Sequence, residues 1–153
     1  SPTYAEEIQR AEYGAGLDGV IRARAHVLTG ILNGIDVDVW SPERDPYLPA
    51  SFSPRAMGGK AAAKRAVLEA FGLAADDAAM ARPLIGVVSR LVDQKGFDLV
   101  AQVASELADL DAGFVVVGSG DGRYEQMWRS LAAHRPSRIG AAIGFDERLA
   151  HLV

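Results

Sequence analysis

The segment Ser89-Arg90-Leu91-Val92-Asp93-Gln94-Lys95-Gly96 sets a guanidinium and an ammonium five positions apart, between an apolar run and a helical stripe. A helix start offers free N–H groups and the positive end of a dipole, both of which favour an anion. Arg grips two phosphate oxygens at once, and Lys adds a compact point charge. Arg90 and Lys95 together therefore suit a diphosphate. The alternative is a pair of solvated loop cations, one of them neutralised by Asp93.

Three further turns have the right residue types. Gly118-Ser119-Gly120-Asp121 lets backbone approach a ligand closely, or else makes a tight strand-to-helix turn with Asp121 as N-cap. Arg123 stands where a dinucleotide fingerprint needs its third glycine, so a nicotinamide site is disfavoured. In Gly144-Phe145-Asp146, Phe145 stacks on a flat ring or packs on the next helix, and Asp146 caps that helix. Asn33-Gly34-Ile35-Asp36 reads as a turn or as the polar edge of a cleft. No Ser/His/Asp arrangement is present. His26, His134 and His151 lie far apart, without metal-ligand spacing.

The elements that must position these residues follow from the apolar pattern. Leu84 to Ser89 is a continuous apolar run, as in a strand covered on both faces. Phe97 to Leu110 has helical spacing, and Phe114 to Val117 is a second buried strand. Tyr124, Met127, Trp128, Leu131 and Ala132 form a second helical stripe. Ile139 to Ile143 is a third strand, and a helix starts after Asp146. This β-α-β-α-β-α order predicts a parallel sheet, the first half of a Rossmann-like domain, with ligands at the carboxyl edge of the strands.

Before Leu84 the pattern is less regular. Ser1 to Tyr4 reads as the exit of a strand, Ala5 to Arg10 as a short helix, and Thr29 to Leu32 as a buried strand. Val20 to Ala25 has helical character. Four prolines within Ser41 to Pro54 mark a linker or surface loop. Lys60 to Phe71 is a helix with Gly72 as its cap, and Ala74 to Pro83 is a loop, with Asp76 and Asp77 solvated. The division expected is 1–40, 41–83 and 84–153.

Composition narrows the function classes. The 153 residues have 49% hydrophobic and 24% charged side chains, which suits a soluble globular protein and argues against disorder. The net charge of −4, with no long basic run, disfavours nucleic acid as a partner. The absence of cysteine removes disulfides, thiol catalysis and Cys-ligated metals, and fits a reducing compartment such as the cytoplasm. No apolar run approaches the ~20 residues of a membrane span. The chain lacks an initiator Met and stops within an apolar pattern at Leu152-Val153, so an internal fragment is expected.

Six ordered stretches carry a resemblance. They are Ser1-Pro2-Thr3-Tyr4-Ala5-Glu6-Glu7-Ile8, Leu32-Asn33-Gly34-Ile35-Asp36 with Val39-Trp40-Ser41-Pro42, and Lys60-Ala61-Ala62-Ala63-Lys64-Arg65. Val88 to Gly96, Gly118-Ser119-Gly120-Asp121 and Ile143-Gly144-Phe145 complete the set. In this order and at this spacing the chain resembles the ADP-glucose-using starch/glycogen synthase family of glycosyltransferases, over essentially its whole length.

The resemblance implies a GT-B fold, two Rossmann-like domains facing across a cleft. This chain would be the interdomain seam plus the first half of the C-terminal domain. It implies transfer of glucose from ADP-glucose to the non-reducing end of an α-1,4-glucan, with retention and without a metal ion or other cofactor. Arg90 and Lys95 would bind the diphosphate and stabilise departing ADP, with Gln94 and Gly96 shaping the loop. Gly118 and Gly120 would admit the nucleotide. Phe145, where the family often has Tyr, would stack on adenine, and Asn33 would lie at the cleft edge. The family's Lys-x-Gly-Gly-Leu and Glu-Pro-Cys-Gly-Leu segments have no counterpart here, so the 153 residues are expected to lack turnover. The remaining readings are a UDP-glucose-using GT-B enzyme and a non-catalytic binding or assembly module.

Overall fold

The computed structural model describes residues 1–153 and divides into two units, Ser1–Val37 and Asp38–Val153. In the first, Pro2 starts a helix instead of ending a strand. Helix α1 (Pro2–Glu7) has Pro at its first position, where the missing N–H costs nothing, and the Ser1 hydroxyl accepts from the Tyr4 N–H at 3.1 Å. Helix α2 (Asp18–Ala23) follows a loop that packs tightly at Gly14, where a Cβ would sit 2.6 Å from Asp18 Cβ. The expected strand at Thr29 to Leu32 is absent. Ile31 is 76% exposed and Leu32 72%, and the unit offers no second strand for pairing. No apolar side chain of this unit is buried.

The second unit holds the core. Residues 41–57 form no helix or strand, and α3 (Gly58–Ala70) follows them. Gly72 adopts φ +67 just beyond α3 while the Leu73 N–H returns to the Leu68 carbonyl at 2.8 Å, a left-handed helix stop. The expected loop at Ala74 to Pro83 contains a one-turn helix, α4 (Asp77–Ala81). Asp76 is its cap, its carboxylate accepting from the Ala79 N–H at 2.8 Å. The Lys64 ammonium donates to the Met80 and Arg82 carbonyls at the other end.

Strands β1 (Leu84–Val88), β2 (Gly113–Gly118) and β3 (Ile139–Ile143) form a parallel sheet in the order β1-β2-β3. Central β2 is the strand covered on both faces: Phe114 and Val116 meet one core cluster, Val115 the other. Strand β1 was expected to be covered likewise. It has one neighbour only, and Ile85 and Val88 are 41% and 50% exposed.

The crossover from β1 to β2 is two helices, α5 (Phe97–Gln102) and α6 (Ala104–Asp109), instead of one. Val103 leaves helical geometry for a single residue, too little to disturb the apolar spacing on either side. Helices α7 (Gly122–His134) and α8 (Glu147–Leu152) follow β2 and β3, and Asp146 caps α8 through the Leu149 N–H at 2.8 Å. One core cluster joins Phe97, Tyr124, Trp128 and Ile139 to β2; the other joins α3, α4 and Leu152 to its opposite face.

On α8, His151 Nδ1 lies 2.6 Å from Asp45 Oδ2, with side chains 2% and 6% exposed. The carboxylate only accepts, so Nδ1 carries the hydrogen. Trp40 stacks on the imidazole at 3.9 Å and Tyr47 leans on it at 4.9 Å. This pins the proline-rich segment to the last helix. No helix is long and apolar enough to cross a membrane.

Candidate functional site at the carboxyl edge of the sheet

Parallel pairing brings the loops after β1, β2 and β3 to one edge. Beyond the strands, the Ser89 N–H donates to the Val117 carbonyl at 3.1 Å, the Leu91 N–H to Ser119 at 3.0 Å, and the Asp121 N–H to Leu91 at 2.8 Å. The first loop is thus laced to the second. Leu91, fully buried, anchors it from below.

Gly118 and Gly120 owe their identity to this lacing. A Cβ on Gly118 (φ +156) would fall 1.8 Å from the Ser89 carbonyl oxygen, and one on Gly120 2.3 Å from that of Leu91. Their polar groups are engaged within the protein as well. The Gly120 N–H donates to Glu125 Oε1 at 3.0 Å, and the Gly118 carbonyl accepts from the Gly144 N–H at 3.0 Å. Asp121 occupies the N-cap position of α7, but its side chain makes no capping bond and faces Arg123 instead, at 3.6 Å.

The first loop ends differently from a plain helix start. A 3-10 turn spans Asp93–Lys95, Gly96 takes φ +78, and α5 is only six residues long. So short a helix adds little dipole, and the positive character of the loop comes from its side chains. Arg90 has one side-chain contact, a long 3.5 Å approach of Nη2 to the neutral Gln94 Oε1. Lys95 is exposed and makes no ion pair.

Asp93 neutralises neither of them. Its Oδ1 accepts from the Arg123 guanidinium and from the Tyr124 hydroxyl. The Tyr124 hydroxyl, then Arg123, hold the Asp93 carboxyl below the ordinary carboxylate range. Burial, reinforced by Asp93, pushes Tyr124 up to about 12. Arg123 in turn lies over the Tyr124 ring at 4.6 Å and is itself raised by Asp93.

The structure therefore gathers Arg90, Gln94, Lys95, Gly96, Gly118 and Gly120 in two interlocked loops. Phe145, directly after Gly144, is 91% exposed at the same edge. It does not pack on α8. Asn33 belongs to the first unit and is exposed. Sequence reasoning missed the clasp of Asp93, Arg123 and Tyr124. A signal existed: successive βα loops of a parallel sheet meet at one edge, which puts a carboxylate in one loop opposite a guanidinium at the start of the next helix.

No family model matches the chain. Over all 153 residues it is 50% identical to a glycogen synthase of Aromatoleum aromaticum and 48% identical to one of Roseobacter denitrificans. It spans 30% and 31% of those proteins. Its fold superposes with a TM-score of 0.87 on the catalytic domain of Starch Synthase IV from Arabidopsis thaliana bound to ADP and acarbose, at 34% identity. That match covers the whole of this chain and 31% of the other. In sequence over its full length and in its α/β, GT-B-type fold, the chain is a relative of the glycogen and starch synthases.

Proposed function

We propose that this chain is the part of a retaining glycosyltransferase that holds the diphosphate of a nucleotide sugar. The full reaction moves glucose from ADP-glucose to the non-reducing end of an α-1,4-glucan, in the cytoplasm. The observation that carries the reading is the pairing of charges in the first loop: Arg90 and Lys95 have no carboxylate partner, while Asp93 beside them turns its Oδ1 to Arg123 and Tyr124 instead. Support comes from the starch synthase with the same fold, which is bound to ADP and acarbose.

Cleavage of the sugar–phosphate bond leaves negative charge on a phosphate oxygen. Fixed cations aimed at that oxygen act on the transition state more than on the ground state. Arg90 and Lys95 supply that charge, so the reading calls for no metal ion or other cofactor. Gln94 and Gly96 keep the loop in shape, Gly118 and Gly120 bring the second loop against it, and Phe145 stacks on the base. Residues 84–153 begin the nucleotide-sugar domain, 1–40 end the preceding one, and 41–83 connect the two.

Calorimetric titration of the chain with ADP tests this. Binding is expected in the wild type and lost in Arg90→Ala/Lys95→Ala; equal binding by both would remove the assigned role. Competition between ADP and UDP decides the donor, with ADP expected to win. A glucan-elongation assay on the 153 residues is expected to show no turnover.

A further inference from the structure

The loop that carries Arg90 and Lys95 also carries a carboxylate, three residues after the first and two before the second. At such separations Asp93 is the nearest counter-ion available to both, and it would compete with any bound anion. The structure turns it away. Tyr124 is 2% exposed, with its ring 5.8 Å from that of Phe97 in the core, so its hydroxyl has a fixed position at the loop. Arg123 is held by the Tyr124 ring and by Asp121, and it completes a two-donor clasp on Asp93.

Resting on the reading of the loop given above, we propose that Arg123 and Tyr124 are positioning residues. They sequester the Asp93 carboxylate, so that Arg90 and Lys95 stay uncompensated for an anionic diphosphate. Neither touches the ligand. Their effect passes through Asp93, which makes the sign of each substitution specific.

Titration with inorganic pyrophosphate and with ADP tests the proposal. Arg123→Ala frees Asp93 and is expected to weaken both ligands roughly tenfold, about the worth of one charge-assisted hydrogen bond. Tyr124→Phe weakens them in the same direction. Asp93→Asn removes the competing charge and does not weaken binding. The combination Asp93→Asn/Arg123→Ala is expected to return to within about twofold of Asp93→Asn alone, a non-additivity that an independent site would not show. Unchanged affinity in Arg123→Ala overturns the proposal. So does a double variant as weak as Arg123→Ala, because Arg123 would then contact the anion itself.

A second readout separates this proposal from the reading it rests on. If the wild type binds neither ligand, that reading fails, and the Asp93 carboxyl carbon followed by NMR decides the sequestration. In Arg123→Ala/Tyr124→Phe the freed carboxylate is expected to fall to Arg90 and Lys95. It therefore still titrates below the ordinary carboxylate range. Adding Arg90→Ala/Lys95→Ala should restore the ordinary value. A return to that value with both cations present overturns the proposal.

Discussion

Asp45 and Asp93 each fasten a loop, and they do it in opposite surroundings. Asp45 joins His151 across 106 residues of chain, with both side chains nearly excluded from water and Trp40 stacked on the imidazole. Asp93 joins Arg123 across 30 residues, with side chains 60% and 61% exposed at the sheet edge. The first pair is shielded, and breaking it leaves a polar group stranded among apolar ones. The second is solvated, so it adds little to stability, and its consequence lies in where the loop charges are left. His151 Nε2, buried without a partner, shows how fully the first pair is enclosed. The molecule thus separates a clasp that holds the fold from a clasp that prepares a surface.

The largest effect expected concerns the enclosed pair. His151→Ala removes the imidazole partner of Asp45 Oδ2, leaving the carboxylate only the Tyr47 N–H on Oδ1, and should cost about 3–5 kcal/mol in urea unfolding. ADP affinity should be unchanged in the folded fraction; a loss would erase the distinction between the two clasps. Gly120→Ala comes next, at about 1–3 kcal/mol, because the new Cβ forces the second loop off Leu91. Here ADP affinity should fall as well, since the lacing sets the shape of the loop.

Asp93→Asn should barely move the urea midpoint, in contrast to His151→Ala. Its signature is in pH dependence. The Asp93 carboxyl is lowered, so its contribution is present above about pH 4 and is lost as pH falls through its depressed value. Tyr124 is raised to about 12, so the neutral phenol's contribution holds below about pH 10 and fades between there and about 12. Ultraviolet titration of the phenolates should show a tyrosine ionising at about 12 that is absent in Tyr124→Phe. The smallest effect on stability belongs to Phe145→Ala: within about 0.5 kcal/mol, with weaker ADP binding from loss of a stacking ring.

The βαβαβα order of residues 84–152 was legible because each strand is an apolar run and each helix an apolar stripe. What pattern could not reveal was environment. β1 and β2 look alike in sequence, and only strand order tells the edge from the centre. Apolar Ile31 and Leu32 read as a strand, yet they have no partner strand and stay exposed. Arg90 and Lys95 stand out in the sequence by type and spacing. Their freedom from Asp93 was not, because it depends on side chains 30 and 31 residues away. The pairing of Asp45 with His151 depends on a still longer return of the chain.

The central claim is that Arg90 and Lys95 recognise a diphosphate. Comparing ADP with AMP tests it most directly, since the two differ by the terminal phosphate alone. The wild-type chain should bind ADP more tightly by roughly tenfold or more, the worth of at least one charge-assisted contact, and Arg90→Ala/Lys95→Ala should abolish that preference. A wild type that binds both nucleotides equally, or a double variant that keeps the preference, would contradict it.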